Sequence, residues 1–363
     1  MKQFTVTGAE QSAFLTWFTS ELKEVFSSKG YRYTEDPNDD LQLVFNVVNE
    51  ERPRPFRRKA QATFVVSIME SSQDRDNHFE AAYPNLVRSL SNHFVYIVHT
   101  NEGTIVSFVT PEQGFYQIRY DGENATDFFE QIYERLEPVA SAQLIIDNDF
   151  LADLDERLWN GNEKTKKMYL SGKKLDEMNL LPAPFPLHKY LTDRDMRQLR
   201  KLYGIGGLSY GNLSSRNDDK GFWMSASGVN KANMKVIGQD ILYIKGYNDE
   251  KRSMEVSIPP TVSPRRASVD AIEHWMIYKE HPQVGAIVHI HAWMDDVKAT
   301  EINYPCGTIQ LAETVADLVR KAEDPSRAVI GLKNHGLTIT GRSLDDIFER
   351  IEGHVIPQVP MGF

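Results

Sequence analysis

Val288-His289-Ile290-His291-Ala292-Trp293 decides how this chain is read. Its lead-in, Gly285-Ala286-Ile287-Val288, is apolar and partly β-branched, so the segment predicts a strand. Residues two apart on a strand share a face at a rise of about 7 Å, which lets His289 and His291 reach one small cation. A core holding two structural histidines would show the same pair, and the downstream sequence decides between the readings. A second apolar run, Ala328-Val329-Ile330-Gly331-Leu332, leads into Asn334-His335-Gly336-Leu337. A third histidine therefore falls at a strand end, where glycine permits a sharp turn. Three histidines with one open position describe a catalytic zinc-type centre.

The chain has 363 residues, 41% hydrophobic and 25% charged, which are the proportions of an ordinary globular protein with room for two cores. Its formal net charge of -10 disfavours nucleic acid as a partner, because phosphate backbones bind through basic surfaces. The basic run Arg52, Arg54, Arg57, Arg58 and Lys59 reads as a solvated loop. The single cysteine, Cys306, excludes an intrachain disulfide and a CxxC site, and reads as a buried structural thiol. No window approaches 18 uninterrupted apolar residues and the first residues lack a signal-peptide core, so a cytoplasmic protein with no membrane partner is expected.

Residues 1–150 read as an α+β domain without a catalytic constellation. Helical spacing predicts a helix over 10–27, strands at 41–48, 62–68, 94–99, 104–109 and 115–120, and a closing helix at 127–136. Asn101-Glu102-Gly103 predicts a hairpin. Residues 151–190 are charged and then proline-rich, through Leu181-Pro182-Ala183-Pro184-Phe185-Pro186, and read as a linker. Residues 191–363 form the second domain. Thr192 is the expected N-cap of a helix that stops at Gly204-Ile205-Gly206-Gly207, and further helices are expected over 268–280, near 310–321 and from Ser343. Helices and strands alternate without regular βαβ repeats, which predicts a layered α/β fold on a largely antiparallel sheet.

Within that domain, Gly211-Asn212-Leu213-Ser214-Ser215-Arg216, Ser225-Ala226-Ser227-Gly228, Ser268-Val269-Asp270, His289-Ile290-His291 and Asn334-His335-Gly336-Leu337 occur in an order that resembles the class II aldolase/adducin family. The likeness is to the L-fuculose-phosphate aldolase type and leaves the first domain outside it. It implies a central, mainly antiparallel sheet flanked by helices, and zinc or another divalent metal held by His289, His291 and His335. In those aldolases a glutamate ahead of the histidine strand is the acid/base. Asp270 stands at the matching position, one methylene shorter, and Glu273 one helical turn on is the alternative. Gly211, Asn212, Ser227, Gly228 and Ser268 match positions that bind a substrate phosphate. Val269 replaces a second hydroxyl found in many relatives, with Arg265 and Arg266 just upstream. The tyrosine proton donor of the fuculose-type enzymes has no counterpart between the histidine segments, Tyr304 being nearest.

The resemblance thus implies a zinc-dependent lyase of aldolase type, acting on a hydroxy-ketone or sugar-phosphate-like small molecule through a metal-stabilised enediolate. Epimerase, decarboxylase and dehydratase chemistry are served by the same fold, and a non-catalytic adducin-like scaffold is the contrasting class. A homo-oligomer, in many relatives a tetramer, is implied in the same way.

Overall fold

The spacing of apolar residues that predicts the first helix also orients it. Leu15, Phe18, Leu22 and Phe26 fall on one face of Ala13–Ser28 and are buried, and Ser12 caps the N-terminus by accepting from the Leu15 amide. The computed structural model describes the chain apart from residues 1, 9–11, 36–40, 60–62, 112–113, 183–186, 204–209, 358 and 361–363. The expected helix stop at Gly204-Ile205-Gly206-Gly207 and the prolines Pro184 and Pro186 lie outside the described residues.

In chain order the elements are β1 Gln3–Thr7, α1 Ala13–Ser28, β2 Arg32–Tyr33, β3 Leu41–Val47, β4 Phe64–Ser71, α2 His78–Ser89, β5 His93–Thr100, β6 Gly103–Val109, β7 Phe115–Tyr120 and α3 Ala125–Ser141. There follow β8 Asp147–Leu151, α4 Glu163–Glu177, α5 Leu187–Tyr190 and α6 Asp193–Tyr203. The remainder comprises β9 Asn212–Asp218, β10 Gly221–Ser225, β11 Ile241–Asn248, β12 Ser253–Ser257, α7 Ala271–Glu280, β13 Ala286–Ile290, β14 Lys298–Ala299, α8 Ile309–Arg320, β15 Val329–Leu332, β16 Gly336–Gly341 and α9 Leu344–Ile351. Among the described residues no helix is long and apolar enough to cross a membrane.

Two compact units result, and each is discontinuous in sequence. The first gathers Met1–Ser141, Pro186–Leu202 and Met361–Phe363; the second gathers Ala142–Phe185 and Tyr203–Pro360. The first carries a seven-stranded sheet in the order β2-β1-β3-β4-β5-β6-β7. Its pairings are parallel from β2 to β5 and antiparallel from β5 to β7, with the expected hairpin at Thr100↔Gly103. Phe128 and Phe129 are buried as expected, and Phe128 stacks on Tyr120 at 4.5 Å between ring centroids.

Helix α6 begins where Thr192 predicts. The Thr192 hydroxyl accepts from the Asp195 amide at 3.3 Å and donates to Asp195 Oδ2 at 2.7 Å, while the Thr192 amide reaches the same carboxylate at 3.3 Å. Arg88 grips both Asp195 oxygens at 2.9 and 2.8 Å. Burial by itself would raise the Asp195 pKa, but the Arg88 and Thr192 hydrogen bonds outweigh it and leave it below 3.8. A depressed folded-state pKa contributes stability above the unfolded value and loses it as pH falls through the folded one. Asp195→Ala should therefore cost about 2–3 kcal/mol at neutral pH, since it removes a cap and a charged partner together. Urea unfolding checks this, and a loss that does not shrink on acidification below pH ~4 would remove the charge from the account.

The second unit is built on a nine-stranded sheet, β14-β15-β16-β13-β9-β10-β11-β12-β8. All its internal pairings are antiparallel, as expected, and only the outermost pairs β14·β15 and β12·β8 are parallel. Apolar residues of β9, β10, β11, β13 and β16 pack with α7, α8 and α9 into one core around the fully buried Trp223.

The stretch 151–190, expected as a linker, is largely regular structure. Strand β8 pairs Asp147↔Ser253 through Leu151↔Ser257 along the sheet edge. Asn162 caps α4 in a reciprocal box with Thr165. The buried face of α4 is Thr165, Met168, Ser171, Gly172 and Leu175, too small and polar to produce an apolar stripe, which is why its sequence reads as a connector. Residues 186–202, on the far side of the prolines, group with the first unit.

Candidate metal centre

The histidine pair lies where the strand pattern places it. His289 is on β13 and His291 is one residue past its end, and their ring centroids are 5.0 Å apart on one side of the sheet. The β15–β16 hairpin delivers the third ring. Asn334 turns it at φ 58°, the His335 amide donates to Leu332 O at 3.0 Å, and β16 then pairs with β13 through Ile290↔Leu337. His335 comes to 4.8 Å from His289 and 4.7 Å from His291 between centroids. One ligand atom from each of the three lies within 4.8 Å of the others.

Two glycines allow the neighbouring strands this close to the histidines. Gly211 sits at φ 67°, and a Cβ there would lie 2.3 Å from His289 O. On the other side, a Cβ at Gly336 would lie 2.2 Å from Ile290 O.

Protonation is set by the same packing. The His289 Nδ1 lies 3.0 Å from Leu337 O, and since a carbonyl only accepts, Nδ1 must carry the proton. Nε2 is then a bare lone pair, buried and without a hydrogen-bond partner among the described residues. Burial brings the His289 pKa down to about 4, with the Leu337 bond opposing and Lys231 assisting. Burial followed by the His289 charge lowers His335 to about 3, against Asp270. His291 is pushed well below 6.5 by burial, His335 and His289. All three rings are neutral near pH 7, the state a cation requires of imidazole. His291 is only half-buried, and its Nε2 lies 3.3 Å from that of His335.

Asp270 stands beside this cluster, 6% exposed, at the N-cap of α7 but making no side-chain cap bond. The Asn212 amide donates to its Oδ2 at 2.6 Å and to Ser268 Oγ at 3.2 Å. Asn212 is in register with His289 across β9 and β13. Burial raises the Asp270 pKa, opposed by His335, Asn212, Ser268 and Lys231. Glu273 is also buried and accepts from Thr338 Oγ1 at 2.5 Å. Burial and the Asp270 charge push its carboxyl up to about 8, so it is mostly protonated at neutral pH.

The predicted phosphate-side residues divide. Gly211, Asn212 and Ser268 adjoin His289 or Asp270, as described. Ser227 is exposed and Gly228 half-buried, and this loop is tied to the segment before Ser268 through the Ala226↔Ala267 bridge and the Ser227 amide on Arg266 O. Helix α7 starts at Ala271 rather than at Ser268, and the Ala271 amide donates to Ser268 O at 3.1 Å. Arg216, within the first motif, donates to Val284 O, Tyr278 O and His281 O, holding the C-terminal end of α7.

Sequence reasoning missed Lys231. It begins a short 3-10 turn and is 2% exposed, and its charge acts on Asp270, His289 and His291. The polar run Asn230-Lys231-Ala232-Asn233 looks solvated; the one available signal is its position just past the Ser227-Gly228 motif. Burial pulls the ammonium from 10.5 down to about 7, opposed by Asp270. The unfolded chain then holds this proton more tightly between pH about 7 and about 10.5, so stability rises with pH across that window. Lys231→Met in the metal-free protein should therefore be more favourable, relative to the wild type, near pH 7 than near pH 10, by about 3 kcal/mol. Urea midpoints at both ends of the window test this. An effect independent of pH would contradict it.

With that geometry in hand, residues 196–294 match the family described as Class II Aldolase and Adducin N-terminal domain. A methylthioribulose-1-phosphate dehydratase of Citrobacter koseri is 24% identical over 172 residues, covering 39% of this chain and 78% of its own. A protein of the same name from Microcystis aeruginosa is 31% identical over 103 residues, covering 26% of this chain and 42% of its own. Among solved structures, YgbL of Klebsiella pneumoniae is similar at TM-score 0.36 and 17% identity, over 52% of this chain and 84% of that one. An aldolase II superfamily protein of Pseudomonas syringae gives TM-score 0.36 and 15% identity, over 55% and 73% respectively.

Proposed function

We propose, from the similarity of residues 196–294 to the class II aldolases, that the protein is a divalent-metal-dependent lyase acting on a hydroxy-ketone or sugar-phosphate-like small molecule. The observation that carries this reading is the convergence of three neutral imidazoles, one with a buried Nε2 that has no partner among the described residues. His289, His291 and His335 would hold zinc or a similar cation, which when bound supplies Lewis acidity toward a carbonyl or hydroxyl oxygen. In condensation Asp270 takes a proton from the carbon next to the carbonyl, and in cleavage it gives a proton to that same carbon of the enediolate left when the C–C bond breaks. Burial favours its protonated form, while Asn212 and Ser268 orient the carboxylate and leave it lone pairs for that proton. Lys231 balances the negative charge beside it. Gly211, Ser268 and the Ser227-Gly228 loop supply hydroxyl and backbone donors suited to an anionic substrate group.

A dehydratase of a ketose phosphate is the second reading, supported by the names of the two curated relatives. It takes a proton from the carbon next to the carbonyl and then breaks a C–O bond, the hydroxide leaving as water, where an aldolase in the cleavage direction breaks C–C. Metal analysis of the purified protein, followed by product analysis on a panel of ketose phosphates, tests both. About one zinc or similar ion per chain is expected. Two carbon fragments identify an aldolase, and an unfragmented dehydrated product identifies the dehydratase. A protein that binds no divalent metal even after incubation with zinc is not this lyase, and the adducin-like scaffold then becomes the better account.

A further inference from the structure

The only cysteine of the chain does not lie in an inert core. Cys306 is half-buried, and its Sγ is 3.2 Å from His335 Nε2 and 3.4 Å from His335 Nδ1. We propose that Cys306 is a fourth protein donor to the cation held by His289, His291 and His335 when no substrate is bound.

Two independent features support this. The first is the buried Nε2 of His289, directed into the cluster by the Leu337 bond at its other nitrogen and lacking a partner among the described residues. A cation that satisfies this atom lies in the space the three rings share, and the thiol touches one of those rings, that of His335, from outside the three-histidine group. The second is the way the cysteine is held. Gly307 O accepts from the Ile145 amide at 2.8 Å, the Thr308 hydroxyl donates to Pro305 O at 2.7 Å, and the same hydroxyl caps α8 at the Leu311 amide. The backbone on the C-terminal side of Cys306 is therefore fixed, and the sulfur is presented with little freedom to lose. Three imidazoles and one thiolate form a four-coordinate donor set suited to zinc or cobalt. Coordination replaces the thiol proton by the cation, and the proton leaves to solvent.

The inference rests on the triad's reading as a cation site, and the experiment separates the two. Cobalt(II) is titrated into the metal-free full-length protein and into Cys306→Ser. The wild type should develop a near-ultraviolet thiolate-to-cobalt charge-transfer band together with visible d–d bands, and the variant should keep only the latter. Visible bands without the thiolate band in the wild type overturn the role of Cys306 and leave the triad standing. No cobalt spectrum in either protein overturns both. A second readout needs no variant: because there is one cysteine in the chain, its alkylation by iodoacetamide can be followed without ambiguity. Zinc should slow that reaction at least tenfold, and an unchanged rate in zinc-loaded protein rules out Cys306 as a donor.

Discussion

Replacing Asp270 with asparagine should lower turnover by two to four orders of magnitude while metal content stays at about one ion per chain, the range expected for loss of a positioned proton carrier. The substitution preserves shape, and an asparagine carbonyl can still accept from the Asn212 amide that now holds Oδ2. It abolishes basicity. The Asp270 side chain accepts from no helix amide, so α7 loses no cap bond. Glu273 offers no ready substitute, because its carboxyl is raised to about 8 and is mostly protonated near neutrality. Kinetics on whichever ketose phosphate proves productive, with metal measured on the same samples, decide the matter. Turnover within tenfold of wild type would remove Asp270 from the proposed chemistry.

His291→Ala should weaken zinc binding by more than about a hundredfold, beyond the 10–100-fold typical of losing a hydrogen-bond partner of a ligand. Its ring is the half-buried member of the triad, and its Nδ1 has no hydrogen-bond partner among the described residues. Removal therefore leaves no large cavity, and the metal-free variant should unfold within about 1 kcal/mol of metal-free wild type. Zinc should raise the unfolding midpoint of the wild type and leave that of the variant in place, because a ligand stabilises only the state that binds it. A variant that still carries one zinc per chain after dialysis would show that His291 is not a ligand.

What the sequence discloses about this site follows from how locally each feature is encoded. The side-chain period of a strand places His289 and His291 together, and the apolar run before Asn334-His335-Gly336 marks a strand end, so the three positions are readable without the fold, although the turn falls on Asn334 and Gly336 instead serves the close approach of Ile290 O. The neighbours of Asp270 are another matter: Asn212 is 58 residues away in the chain, and only motif order hints at the contact. Lys231 and Cys306 were hidden because nothing in a polar loop or a lone Pro-Cys-Gly turn distinguishes a side chain aimed inward from one aimed at water. Helix α4 was hidden for the opposite reason, since small residues on its buried face erase the periodicity that reveals a helix. Helix α2 carries Pro84 within it, which reads as a break, and β1 is five residues long at the very start.

The interleaving of the two units has a consequence for how the chain is made. Residues 186–202, which belong to the first unit, leave the ribosome after 142–185, which belong to the second. Strand β8 must then wait for β12, whose pairing with it begins at Asp147↔Ser253, more than one hundred positions later. Such a distant parallel partner is slow to find, and the closure entropy is met late. The bulk of the N-terminal unit is thus expected to assemble first during synthesis, while the future edge of the histidine-bearing sheet remains an unpaired strand exposed to other nascent chains.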